Sequence, residues 1–452
     1  MTISTKQYLT LVIAHVSVAI LVFIAPFLSN VLTILLIAIG FLYIIKSKNN
    51  NNQALLVCAY IVGFEVFIRA TGGGFFYEFA KYSVILFLII GMFYSSFSNT
   101  IFPYLLYLLL LLPALYYATA NFIITEADRK TISFTLSGPV CLGVCAIYCY
   151  NRRVSITQVY NIVLAMGLPL ISLTTYLILF NPSVRDVVTG TDSSGATSGG
   201  FGPNQVSTMV GLGIFIFLSR TILNSKNKLM LGINIAIASI MAFRGIVTFS
   251  RGGVLTSVFM IIALIITVFY YSNAVGKVKI SSFIIFGLLG SLLIWGYSVS
   301  QTNGLIEKRY AGKDALGRSK ESKFTGREEL ASSELKIFFD NPLLGCGVGR
   351  SPKIREAATG IKSASHNEIT RLIAEHGSLG IFILLILFLV PFFSYFNNQQ
   401  HFFLIPFFLF WLLTINHAAM RIAAPAFIYA LALLKIYNPV IEQAKNFNNA
   451  VD

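Results

Sequence analysis

The chain has 452 residues, of which 56% are hydrophobic and 11% are charged. A soluble domain carries about 25% charged residues, so this composition excludes an ordinary soluble enzyme, a disordered chain and a disulfide-stapled secreted domain. The net charge of +15 would point to nucleic acid in a soluble protein, but in so apolar a chain the short-loop cations read as topology signals.

A spanning helix needs about 20 apolar residues. In chain order, apolar segments lie near 8–28, 30–45, 54–69, 82–97, 101–120, 133–150, 156–180, 205–222, 229–248, 253–272, 279–298, 369–395, 402–418 and 421–437. The expected fold is all-α: a polytopic integral membrane protein with about 12–14 transmembrane helices and one long, partly helical outer loop. Lys6 and the apolar run after it lack a small-residue cleavage site, so they read as a retained first span.

Lys and Arg in short loops set the orientation. With a cytoplasmic N-terminus, the inner loops hold Lys46 and Lys48, Arg152 and Arg153, Arg220 with Lys226 and Lys228, and Lys277 with Lys279. The C-terminal tail, with Lys435 and Lys445, is also inside. Outer loops such as Glu126-Ala127-Asp128-Arg129-Lys130 are poorer in net positive charge. The expected division is 1–298 with about eleven spans and an outer loop at 181–204, a loop domain at 299–368, C-terminal spans over 369–437, and a cytoplasmic tail at 438–452. Cys141, Cys145 and Cys149 share one helix face, but no His or carboxylate joins them, so packing is the expected role.

The long loop has internal structure. Thr325-Gly326-Arg327-Glu328 fits a capping box. The helix after it is expected to run to about Phe339, with Leu330, Leu335, Phe338 and Phe339 as its apolar stripe. Asp340-Asn341-Pro342 stops it. The glycine-spaced Leu343–Gly349 turn that follows either cradles an anion with its N–H groups or is simply tight.

Charges at the membrane edge are costly and mark function. Arg244 sits near the outer end of one span, and Ser250-Arg251-Gly252-Gly253 turns into the next. The glycines permit close backbone approach, and the competing reading of Arg251 is an arginine snorkelling to lipid phosphates. His366 precedes a span in Ser365-His366-Asn367-Glu368, with Arg371 and Glu375 one helical turn apart beyond it. Imidazole titrates near neutrality and serves as a base or acid. His376 abuts Gly377 and is expected to pack, while His15, His401 and His417 show no comparable partners. No nucleophile elbow, Walker loop, HExxH zinc signature or paired CxxC is present.

His366-Asn367, nine residues, then Gly377-Ser378-Leu379-Gly380 resembles the signature of the O-antigen ligase superfamily. Phe249-Ser250-Arg251-Gly252 resembles its Ser-Arg-Gly turn, and Gly202-Pro203-Asn204-Gln205 its Asn-Pro-Asn-type entry into a span. Thr325-Gly326-Arg327 and Asn341–Gly349 resemble its long-loop Arg and Pro-Leu-Leu-Gly-x-Gly-x-Gly signatures. The motifs occur in the family's order over roughly 200–390.

The resemblance implies a GT-C-like, multi-pass inner-membrane glycosyltransferase working at the periplasmic face, without metal or other cofactor. The donor would be a glycan on undecaprenyl diphosphate. The acceptor would be lipid A-core for a ligase, or a second lipid-linked glycan for an O-antigen or exopolysaccharide polymerase. By residue-wise carry-over His366 is the catalytic base, and Arg251 and Arg327 bind the diphosphate with Arg244 as helper. Asn204, Gln205, Asn367, Arg371 and Glu375 position the substrate, with Glu375 orienting His366 or Arg371 or forming only an i,i+4 pair with Arg371. Ligase is the first expectation and polymerase the second. A lipid or glycan transporter is the distant alternative, and no nucleic-acid partner is expected.

Overall fold

The structure is a computed structural model that describes residues 3–120, 125–319, 327–360 and 365–437, excluding the side chains of Arg327 and Thr359. Helices fill it: α1 (Thr5–Ile24), α2 (Leu28–Ser47), α3 (Gln53–Ala70), α4 (Phe79–Tyr94), α5 (Phe102–Ala120), α6 (Glu126–Cys149) and α7 (Ile156–Phe180). After the single turn α8 (Val184–Val187) come α9 (Pro203–Leu223), α10 (Lys228–Ile246), α11 (Arg251–Tyr271) and α12 (Ala274–Gln301). The loop region holds α13 (Leu305–Tyr310), α14 (Arg327–Asp340), α15 (Ser351–Thr359) and α16 (Glu368–His376), and α17 (Ser378–Phe396), α18 (Leu404–His417) and α19 (Ala424–Leu431) follow. Two three-residue strands, β1 (Arg153–Ser155) and β2 (Lys435–Tyr437), pair in parallel.

Among the described residues, eleven helices are long and apolar enough to cross a membrane, and α4 and α18 are shorter apolar helices. The chain is a multi-pass membrane protein. Polar residues punctuate the apolar runs: Ser4 with Gln7, Thr125 with Asp128 and Ser155 with Gln158 form capping boxes. Helices α7 and α9 are 78% and 83% buried and form the core, whereas α12 is 6% buried and lies at the periphery. Helix α3 packs on α7, α9 on α10 and α11, α11 on α18, and α6 on α19.

Polar cross-links sort the loops into two faces. On the first, Arg69 bonds the Arg421 carbonyl, Lys81 bonds Ser137, and Arg309 meets Asp192. On the second, Asn49 bonds Ser95 and Tyr148, Arg152 bonds Asn52, Lys226 bonds the Ile3 carbonyl, and Asn398 bonds the Leu434 carbonyl. The first face carries the loops expected outside and the second those expected inside.

Three expectations need correction. The 369–395 segment is two helices, α16 and α17, broken at Gly377, whose φ is +61°. An added Cβ there would lie 2.6 Å from the Gly345 nitrogen and the Leu343 oxygen, so the approach of the 343–345 turn imposes the break. The 421–437 segment is no full span either: α19 has eight residues, all buried, and the chain then extends into β2 beside β1. On α14 the expected stripe is rotated. Leu335 and Phe339 are exposed, and the inward side chains are Glu334 and Ile337. Glu334 turns inward because Arg355 and Thr370 satisfy its carboxylate there. The Thr325 cap lies outside the described residues.

Candidate functional site

The entry into α9 and the turn into α11 are built against each other. Gly202 is the N-cap of α9 and Pro203 opens its first turn. A Cβ on Gly253 would lie 2.0 Å from the Ser207 oxygen, and one on Gly211 2.2 Å from the Gly253 oxygen. Only glycine fits such backbone contact. Ser207 Oγ donates to the Ser250 carbonyl at 2.7 Å, and Ser250 Oγ donates to Asn204 Oδ1 at 2.8 Å. Phe249, just before, holds φ +59°, a region that bulky residues avoid and that clusters at functional sites.

Arg251 follows at the first turn of α11, half-buried. Beside it stands Arg309 of α13, which donates Nε to the Phe249 carbonyl at 3.2 Å and pairs with Asp192 at 3.3 Å. Burial, and then the Arg251 guanidinium, hold Arg309 below the usual arginine range. The Asp192 side chain is 76% exposed, so its pairing with Arg309 is weak, and two guanidiniums bring positive charge to this turn. The N-termini of α9 and α11 add their dipoles to it.

A polar chain runs from here to His366. Gln205, next to Asn204, accepts from Arg69 Nη1 at 3.4 Å and donates to the Tyr77 hydroxyl at 3.1 Å. The Arg69 guanidinium lies 4.1 Å from the Tyr77 ring centroid, pairs with Glu65 at 2.7 Å, and donates to the Arg421 carbonyl at 3.2 Å. Arg421 Nη2 donates to the Ser365 carbonyl at 3.1 Å, which ties it to the residue before His366. Burial lowers the Arg421 pKa. His417 also belongs here, against expectation: Nε2 lies 3.2 Å from Thr208 Oγ1, and a Cβ on Gly252 would meet its ring at 2.4 Å.

The other motif residues have visible structural work. Asn367 Oδ1 accepts from the backbone of Ile369 at 2.9 Å and so caps α16. Gly377 makes the break, and Gly380 lets α17 pass α16, since a Cβ there would lie 2.3 Å from the Leu372 oxygen. Arg371 is buried between two carboxylates: Glu368, at 3.1 Å from Nε, and Glu375, at 2.8 Å from Nη1. Glu375 also accepts from Ser351 at 3.0 Å, so its carboxylate is engaged by Arg371 and Ser351. The two carboxylates raise the Arg371 pKa against the opposing effect of burial, while burial raises that of Glu375. Burial, and then the Arg371 charge, push His376 down to about 3, which keeps it neutral.

The glycine-spaced turn is tight, and its Gly349 N–H serves the Glu375 carboxylate. Cys346 N and Gly347 N donate to the Ala374 and Glu375 carbonyls at 3.0 and 3.1 Å, capping the end of α16. Arg244 is likewise engaged: Nη2 donates to the Leu177 and Asn181 carbonyls at 2.6 and 2.7 Å, at the end of α7. The Arg327 side chain lies outside the described residues. Sequence reading passed over Arg69, Arg309 and Arg421. Arg69 and Arg421 stand at membrane edges, so the rule that singled out Arg251 would have found them.

Among the described residues, no group of three or more His, Cys, Asp or Glu side chains is arranged to hold a metal ion. Residues 236–385 match a family model described as O-antigen ligase. The matched segment is about a third of the chain and contains Arg251, Arg327, His366 and the Gly377–Gly380 pair. No curated protein and no solved structure matches the chain.

Proposed function

We propose, from the O-antigen ligase family match over residues 236–385, that the chain is a ligase moving a glycan from undecaprenyl diphosphate to a sugar hydroxyl of lipid A-core. The reaction takes place at the periplasmic side of the inner membrane, which is the first face. The observation that carries this reading is the run of polar contacts from Ser365, next to His366, through Arg421 and Arg69 to Gln205, and from its neighbour Asn204 through Ser250 to the turn that Arg251 and Arg309 flank. It links the neighbourhood of a base to a cationic pair across six separate stretches of sequence.

A sugar hydroxyl is a poor nucleophile, and a positioned base contributes about 10²–10⁴-fold. His366 takes the hydroxyl proton as the oxygen attacks the anomeric carbon. The bond from that carbon to the diphosphate oxygen breaks on the opposite side, so the configuration inverts. Diphosphate leaves as an anion and needs neutralisation more than a proton. Arginine provides that in bidentate form without losing its charge. Arg251, Arg327 and Arg309 take this role, and Arg421 and Arg69 border the base. Asn204 and Gln205 hold the floor between the two ends. Arg244, Asn367, Arg371 and Glu375 act as positioning residues through the helices they fasten.

The test uses the purified full-length protein with undecaprenyl-diphosphate glycan and lipid A-core, in a chelator and without nucleotide. Glycan appearing on lipid A-core supports the ligase. Longer glycan remaining on undecaprenyl diphosphate makes the chain a polymerase with the same chemistry. Movement of donor across the membrane without a new linkage overturns the transferase reading.

A further inference from the structure

The second face carries a cavity that the transfer reaction does not use. It measures about 140 Å³ and is lined by Thr157, Tyr160 and Asn161 of α7 and by Arg220, Asn224 and Lys226 at the end of α9. No Asp or Glu lines it. Arg220 is 5% exposed, and its Nε has no hydrogen-bond partner among the described residues. Its guanidinium lies 5.0 Å from the Tyr8 ring centroid, and the Tyr8 hydroxyl donates to Asn234 at 2.5 Å.

Three other buried arginines meet carboxylates, while Arg244 is held by the Leu177 and Asn181 carbonyls. Arg371 has two carboxylates, Arg69 has Glu65, and Arg355 has Glu334. Arg220 pairs with no carboxylate among the described residues. A buried cation without a counter-charge is costly. The C-terminal carbonyls of α9 and the Tyr8 ring offset part of that cost, but neither completes Nε. A tetrahedral oxyanion does both: it neutralises the charge and accepts from Arg220, the Lys226 ammonium and the amides of Asn161 and Asn224. At about 140 Å³ the cavity has room for one phosphate group.

We propose that the cavity around Arg220, Lys226 and Asn161 is a binding site for a phosphate group, on the membrane face opposite the transferase site. The group comes either from the head of an anionic phospholipid or from free phosphate. The test is a thermal-shift titration of the full-length protein in detergent with phosphatidylglycerol, phosphatidylcholine and inorganic phosphate. The expected result is a saturable rise in Tm that chloride does not reproduce. In the Lys226→Gln/Asn161→Ala double variant the apparent Kd weakens at least tenfold. A rise with phosphatidylglycerol and not with inorganic phosphate assigns a lipid headgroup, and a rise with inorganic phosphate assigns the free anion. Arg220→Gln is a second probe, and the double variant keeps the test open where Arg220→Gln fails to fold. No saturable rise with either probe, an equal response to phosphatidylcholine, or an undiminished rise in the double variant overturns the proposal. The readout is independent of glycan transfer, so it stands or falls apart from the ligase reading.

Discussion

Two groups of arginines share the first face and are handled in opposite ways. Around α16, Arg371 lies between Glu368 and Glu375, and Arg355 meets Glu334 at 3.3 Å, all buried. Around the turn into α11, Arg251 and Arg309 stand together, Arg309 meeting the exposed carboxylate of Asp192, and Arg421 bonds a carbonyl oxygen. The first group is electrically closed and holds loop helices α14 and α15 onto α16. The second brings two guanidiniums together at one turn, which suits an incoming anion. The contrast teaches that a buried arginine beside a motif is not by that fact a substrate ligand; its counter-charges decide.

The contrast can be broken most sharply in the closed group. Arg371→Ala leaves Glu368 and Glu375 buried without their partner. Breaking a buried pair from one side costs about 3–5 kcal/mol, so the variant is expected to fall in folded yield and in Tm. An unchanged Tm would move Arg371 out of the closed group. In the open group Arg251→Ala is expected to spare Tm and lower turnover by about 10²–10³-fold, the usual effect of removing a charge-stabilising donor. Steady-state rates beside a melting curve separate the two outcomes.

Much of the first-face geometry follows from local sequence, and the remainder could not. The Ser-Arg-Gly-Gly turn is a backbone event at glycine and legible as such, whereas the Gly377 break lies inside a segment that periodicity reads as one span and is imposed by the 343–345 turn. Arg69 and Arg421 are 352 residues apart, and only the packed bundle brings them into contact. The stripe of α14 was misread because periodicity treats Glu334 as outward, while a partner on α15 makes it inward. Arg244 looks like a site residue in sequence, and the C-terminal carbonyls of α7 that claim it are visible only in three dimensions.

Acid sharpens the comparison by a smaller amount. His376 is neutral in the fold, with its pKa near 3 against an ordinary value of 6.5. The unfolded chain therefore binds the extra proton between those values, and stability is lost as pH falls below 6.5. At pH 5 the loss is about 2 kcal/mol. His376→Gln is expected to flatten the decline in Tm between pH 7 and pH 5, and an unchanged slope would assign the decline to another group. Smallest of all, Arg309→Lys keeps the charge and loses the planar fork. It is expected to weaken donor use by about tenfold, roughly 1.4 kcal/mol, seen as a change in kcat/KM for the lipid diphosphate.

The central claim is that His366, at the end of the polar chain, does chemistry while the residues after it hold the fold. The direct measurement is glycan transfer by purified His366→Ala beside the parent protein, with Tm recorded for both. The account predicts an unchanged Tm and transfer reduced by about 10²–10⁴-fold. Near-normal transfer in a folded His366→Ala variant would contradict it and remove His366 from the mechanism.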